Sequence, residues 1–312
     1  MTGSSDELRA ALDPTPTRQD VAIVKPVVLE TVRSKHPQPV QFRTLVEVAV
    51  PRCAGIPFVG FPPHLATVSP EVVSAHVRWA TAIGEALNDL YHAGLTQPRK
   101  VASPFLIQSY VPDTRGGNFK YFDEREVHGE WILTTRGVTE PDRDFLFDAD
   151  LYLQRAGLSA AHRRIQTSVT EAVTAYRQEL YLASATMVGS ASEGAWLEFF
   201  EAFGRWADKA GANRPAVDGD NLVPHVMKVV SQYKGYAGFD AIMVTADVSG
   251  HELTTLVQRY DYLRDIRNYA AHFDTTERFD LTYGGVGVLL LDAARYFAAL
   301  YRLIGALRIA AT

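Results

Sequence analysis

Arg267-Asn268-Tyr269-Ala270-Ala271-His272 is the stretch of this chain whose residue types and spacing fit reaction chemistry. Asn268 and His272 are four residues apart, so on a helix they stack on one face, and Arg267 lies one residue round with a side chain long enough to join them. A guanidinium, an amide and an imidazole can then converge on one phosphate. Arg267 would grip it with two parallel bonds that a lysine could not make. Any Arg with a His five residues on is expected roughly 0.7 times by chance in a chain of this composition; requiring Asn directly after the Arg lowers that to about 0.01. The residues alone leave a second reading open, in which Arg267 pairs with Asp261, Asp265 or Asp274 in a solvated helix-end network and His272 caps the last carbonyls.

The motif needs a helix to hold it, and the apolar spacing predicts one from about His251 to Ala271. Further helices are predicted over Ser159–Leu180, Leu182–Ala210, Asn221–Tyr233 and Val286–Ile309, with Pro224 in a first turn where it is tolerated. Short linkers between long helices predict antiparallel neighbours and a bundle. Glu193 sits among small residues on a helix expected to be central, so its carboxylate needs a partner; Arg267 is the partner expected, with exposure at a helix rim as the alternative. Ala183, Ser184, Gly189, Ser190 and Gly194 are expected to let another helix approach closely. Trp196, Phe199, Phe200, Phe203 and Trp206 form an aromatic stripe expected in the core or a dimer interface rather than as a base-stacking platform. Gly284-Gly285-Val286-Gly287 reads as a helix entrance.

The N-terminal half has a different rhythm. Residues 1–18, with Pro14 and Pro16, read as a loose arm. A helix is expected from Val21 until Pro37 and Pro39 close it, then a short one over Phe42–Ala49 and a Pro/Gly-rich loop over Pro51–Pro63. Ser69-Pro70-Glu71 opens a long helix with Ser as N-cap and Pro at the first helical position, and Gly94 ends it in the left-handed conformation. Phe105–Val111, Phe119–Phe122 and Trp131–Thr134, with a turn at Asp113–Gly117, predict a small antiparallel sheet.

Composition narrows the function classes. At 312 residues the chain is long enough for two domains. Its net charge is −5, and Lys+Arg against Asp+Glu is 15 against 19 over residues 1–150 and 16 against 17 over the rest. Neither half is basic, so any nucleic-acid contact must come from a local patch. The one cysteine, Cys53, excludes an internal disulfide framework and a thiolate metal cage, fits a reducing cytoplasm, and is expected to be a small buried residue. No basic and apolar leader opens the sequence, and Asp292, Arg295, Arg302 and Arg308 interrupt its longest apolar stretch, so neither a signal peptide nor a membrane span is expected. The motifs of phosphate-binding glycine loops, His-Glu-x-x-His zinc enzymes and nucleophile elbows are missing, as is a dense carboxylate set for magnesium, so neither a metal nor a cofactor is expected.

Two stretches resemble known families. Glu85-Ala86-Leu87-Asn88-Asp89-Leu90-Tyr91-His92-Ala93-Gly94-Leu95, followed by Glu130-Trp131-Ile132-Leu133-Thr134-Thr135-Arg136-Gly137, resembles a winged helix-turn-helix domain, with an unusually long segment between the two parts. Arg267-Asn268-x-x-x-His272, preceded by the small-residue helix from Tyr181 to Ala195, resembles the HEPN family of helical bundles, many of which are ribonucleases. The fold expected is therefore mostly α: an arm over 1–18, a winged-helix-like α+β domain over 19–148, and an antiparallel HEPN-like bundle over 149–312.

The HEPN resemblance implies metal-free RNA cleavage in the cleft of a homodimer, with Arg267 and His272 as nuclease residues and Asn268 positioning them. It also implies a role as a toxin or in phage defence, with an antitoxin or regulatory partner. Asp274 stands where some family members carry a Tyr, and would reinforce positive charge on His272. Cleaving RNA without a metal needs a base for the 2′-OH proton, an acid for the leaving oxygen and a cation for the charge building on phosphate, which two His and an Arg supply. The alternatives are a non-catalytic DNA-binding regulator or scaffold whose bundle only dimerises, and a nucleotide sensor that holds a phosphate without cleaving it. The sequence leans away from DNA, because the long helix from Glu71 to Tyr91 offers only His76 and Arg78 as basic groups, with Arg99 and Lys100 nearby.

Overall fold

The computed structural model describes residues 14–60, 69–100, 105–112, 118–125, 129–139, 143–213, 216–272 and 278–312. The chain is mostly helical and divides into two compact units, Met1–Asp144 and Phe145–Thr312. The division falls four residues before the boundary expected at 148/149.

The first unit runs α1 (Arg18–Lys35), β1 (Val40–Gln41), α2 (Phe42–Ala54), α3 (Pro70–His92), β2 (Thr96–Lys100), β3 (Phe105–Pro112), β4 (Asn118–Arg125), β5 (Glu130–Leu133) and α4 (Thr135–Thr139). Thr17 and Arg18, expected in the loose arm, instead cap and open α1. Thr17 Oγ1 accepts the Asp20 N–H at 3.2 Å, and Asp20 returns a bond to the Thr17 N–H at 2.7 Å, a reciprocal capping box. The apolar stripe Val21, Val24, Val28 and Val32 is buried, as are Val77, Ile83, Leu87 and Leu90 on the α3 it packs against. Helix α2 outruns its expected end by continuing through Pro51 to Ala54, and stops at Gly55, whose φ of +66° lies in the left-handed region that favours glycine. Cys53 is half-buried rather than buried, and that burial raises its thiol pKa.

The strands form two sheets where one was expected. β5 lies between β1 and β2, antiparallel to both, with Trp131 opposite Val40 and Leu133 opposite Thr96. β3 and β4 make a separate hairpin, paired from Phe105–Arg125 to Pro112–Asn118, inserted in the chain between β2 and β5. The expected turn at Asp113–Gly117 lies outside the described residues.

One lock joins the end of α3 to the end of β5. Leu95 N–H bonds the Leu90 carbonyl at 2.9 Å around Gly94 at φ +71°, a left-handed helix stop with both leucines buried. Thr134 Oγ1 donates to the Gly94 carbonyl at 2.5 Å, and Thr134 N–H to the Leu95 carbonyl at 3.0 Å. Gly137 sits so close that a Cβ there would lie 2.4 Å from the Leu95 oxygen. Ser69 stands at the N-cap of α3 as expected, but its side chain makes no capping bond.

The second unit comprises α5 (Ala149–Arg155), α6 (Arg163–Arg177), α7 (Tyr181–Lys209), α8 (Leu222–Lys228), which runs into a wide turn over Val229–Tyr233, α9 (Phe239–Thr245), α10 (Gly250–Ala271) and α11 (Tyr283–Ala311). Helices α5 and α9 have too few residues for a periodic signal. α11 starts at Tyr283, so Gly284, Gly285 and Gly287 form its first turns, behind an N-cap from Thr282 to the Gly285 N–H. Helix α7 is central and packs on α6, α10 and α11. Directions alternate: Gly189 meets Arg267 and Trp196 meets Tyr260, so α10 runs antiparallel to α7. Ser192 meets Tyr296 and Glu198 meets Arg308, so α11 runs parallel to it. The aromatic stripe lies in this unit's interior: Trp196, Phe199 and Phe203 are fully buried, and Phe203 stacks edge-on with Trp206, Tyr233 and Phe239. Among the described residues no helix is long and apolar enough to cross a membrane.

Candidate active site

Ser249 caps α10 by accepting the Glu252 N–H at 3.1 Å, and the helix then runs unbroken for 22 residues to Ala271. Leu253, Leu256, Tyr260, Leu263 and Ile266 are buried, so this stripe sets the rotation of the helix against α7. That rotation puts the Arg267 backbone at the seam between the two helices. Gly189 of α7 lies beneath it: a Cβ at 189 would be 2.4 Å from Arg267 Cβ and 2.9 Å from the Leu263 oxygen. Of the small residues expected to admit a neighbour, Gly189 does so for α10 and Gly194 for Ile165 of α6, whereas Ala183 is exposed.

From this seam Arg267 reaches two acceptors. Its Nη1 donates to Glu193 Oε2 at 2.6 Å, and its Nε and Nη2 donate to Asn268 Oδ1 at 3.2 and 2.8 Å. Both ends of the ion pair are a little over a quarter exposed, so the guanidinium edge still faces water. A guanidinium has five N–H donors, and partners among the described residues engage three of them. Asp261 and Asp265 do not bind Arg267; Arg264 takes both, at 2.6 and 3.1 Å. Asp274 lies outside the described residues. His272 is exposed and stands at the C-cap, with extended backbone and its own N–H bonded to the Asn268 carbonyl at 3.0 Å. The helix thus ends between Asn268 and His272, where its dipole favours a positive charge.

Beneath the ion pair lies a buried polar layer that the sequence did not single out, because large aromatics at helical spacing read as core. Tyr260 is fully buried, its hydroxyl has no hydrogen-bond partner among the described residues, and its ring meets Trp196 edge-on. Burial, with the Glu193 carboxylate adding to it, pushes the Tyr260 phenol up to about 12. Next to it the Ser192 and Tyr296 hydroxyls share a bond at 2.7 Å. Among the described residues no group of three or more His, Cys, Asp and Glu is placed to hold a metal ion.

No family model, curated protein or solved structure matches this chain.

Proposed function

We propose that the protein is a metal-independent endoribonuclease of the HEPN type that works as a homodimer. The observation that carries this is Arg267, held by Glu193 and Asn268 with two N–H groups unengaged among the described residues, at the helix end that bears exposed His272. In the proposed reaction one imidazole takes the proton of a ribose 2′-OH, whose oxygen attacks the adjacent phosphorus. The P–O5′ bond breaks, and an imidazolium gives its proton to the departing 5′ oxygen, leaving a 2′,3′-cyclic phosphate. Arg267 stabilises the charge gathering on the phosphoryl oxygens. One His cannot readily act as both base and acid in a single displacement, so the partner subunit's His272 supplies the second role.

The first unit is proposed as a winged-helix-like module. Supporting that are its helix–strand–helix–helix–strand–hairpin–strand order and the lock between Gly94-Leu95 and Thr134. DNA reading by α3 is disfavoured, since His76 is fully buried and Arg78 is bound by Nε and Nη2 to Asp20 at 2.9 and 2.6–2.8 Å. An antitoxin or other regulatory partner suits this module better, in a cytoplasmic toxin or phage-defence protein.

The test is cleavage of labelled single-stranded RNA and transfer RNA in EDTA, comparing wild type with Arg267→Ala and His272→Ala. Cyclic-phosphate products from wild type and none from folded mutants are expected. Nucleotide binding without any turnover across a broad RNA panel would instead establish a sensor.

A further inference from the structure

Along the seam between α7 and α10 the contacts run in opposite order, Gly189 against Leu263 and Arg267, and Trp196 against Tyr260. Glu193 lies between Gly189 and Trp196 on α7. Its carboxylate therefore falls between Arg267 and Tyr260, which share one face of α10 two turns apart. Both side chains can donate to it. Arg267 does so at 2.6 Å, whereas the Tyr260 hydroxyl is fully buried with no hydrogen-bond partner among the described residues. Glu193 is nonetheless the charge that acts most strongly on the Tyr260 phenol, ahead of Arg264, Arg267 and Asp261. Burial first, and that carboxylate second, keep the phenol protonated, so toward Glu193 it can act only as a donor. A buried donor left unbonded costs stability, and its position beside the ion pair gives it a use.

The hydrogens of Arg267 show when that donor is needed. Nε carries one and each Nη two. Asn268 takes the Nε hydrogen and one on Nη2, and Glu193 takes one on Nη1, so those unengaged among the described residues are one on each Nη. A phosphate gripped by both therefore shares Nη1 with Glu193. Two anions then meet at one nitrogen and repel, most strongly as charge gathers on the phosphoryl oxygens. We propose that Tyr260 is a positioning residue whose hydroxyl bonds Glu193 when a phosphate occupies Arg267, holding the carboxylate in the seam while Asn268 keeps the guanidinium plane. The exchange is a property of the seam; its part in cleavage rests on the proposed RNA chemistry at Arg267 and His272.

Removing the guanidinium imitates its loss to a phosphate, so the first arm of the test needs no RNA. Hydrogen exchange of the full chain reads the protection of the α7 and α10 amides. In wild type, Tyr260→Phe should leave that protection unchanged or raise it, since the hydroxyl has no bond to lose. In an Arg267→Ala background the same change should lower it roughly ten-fold, the loss of a hydrogen bond to a carboxylate. In Arg267→Ala/Glu193→Ala it should be silent again, which a purely structural role of the ring would not produce. The second arm is RNA cleavage, where Tyr260→Phe should lower kcat roughly ten-fold with KM unchanged, because repulsion at Nη1 peaks in the transition state. An equal effect of Tyr260→Phe on protection in all three backgrounds overturns the exchange and leaves the nuclease reading standing. So does a loss already present in wild type, which means that the hydroxyl is bonded at rest. The Arg267-dependent loss in a protein that cuts no RNA upholds the exchange and overturns the nuclease reading. Unchanged kcat for Tyr260→Phe, in a protein that does cut RNA, overturns the part of Tyr260 in cleavage.

Discussion

In the proposed mechanism Arg267 suits a phosphate because it is already held. Glu193 takes Nη1 and Asn268 takes Nε and Nη2, so the guanidinium plane is set before any ligand arrives. A lysine has no planar fork to satisfy two acceptors and a phosphate together. Arg267→Lys should therefore lower RNA cleavage by roughly 100-fold or more, the usual cost of one lost transition-state donor, measured as kcat with unchanged thermal stability. Glu193 acts through Arg267, so Glu193→Gln, which keeps an acceptor but not the charge, should be milder than Glu193→Ala in the same assay. An Arg267→Glu/Glu193→Arg double variant that regains none of the cleavage lost in the single variants would count against their coupling. The motif's spacing made Arg267, Asn268 and His272 legible in the sequence, and a lone carboxylate on a small-residue helix pointed to Glu193. The unpartnered Tyr260 hydroxyl was not legible, since nothing in an apolar stripe tells a buried phenol from a buried phenyl.

The elements carry this geometry to the site. α10 can place Arg267 over Glu193 only because Gly189 leaves no Cβ in the seam. Gly189→Ala puts a methyl 2.4 Å from Arg267 Cβ, which forces the two backbones apart. A cost of about 1–3 kcal/mol in urea unfolding is expected, along with a loss of cleavage that Ala at the exposed end of α7, as in Leu182→Ala, does not cause. The first unit offers an acid-dependent test. Burial alone would raise the Asp20 carboxyl, but the Thr17 N–H and the Arg78 guanidinium outweigh it and hold the pKa below its ordinary value. A lowered folded pKa contributes stability that is present above the unfolded pKa, about 3.9, and lost as pH falls through the folded value. Asp20→Asn should therefore weaken hydrogen-exchange protection of α1 by about 1.5–3 kcal/mol at pH 7, with the difference shrinking below pH 4. Long helices with a clear apolar stripe, such as α7 and α10, were legible from periodicity to within a few residues. The split of the strands into a β1-β5-β2 sheet and a β3-β4 hairpin was not, because alternation marks a strand and says nothing of its partner.

At the scale of the whole molecule, the proposed mechanism makes activity a property of pairs of chains. If both imidazoles of a dimer are needed, mixing wild type with a growing excess of His272→Ala under conditions of subunit exchange should lower cleavage as the square of the wild-type fraction. A linear fall, with a monodisperse active monomer in sedimentation, would show that one chain suffices. The sequence by itself determined where the candidate cluster of Arg267, Asn268 and His272 lies, at fixed helical spacing, and a mostly helical chain with strands confined to its N-terminal part, because both are periodicities that a linear string carries. Only the tertiary structure decided that Glu193 rather than Asp261 or Asp265 holds Arg267, that Gly189 admits α10, and that Arg78 is tied to Asp20. Each of these depends on how two elements distant in sequence are rotated against one another, and that rotation is set by the packing of whole buried stripes.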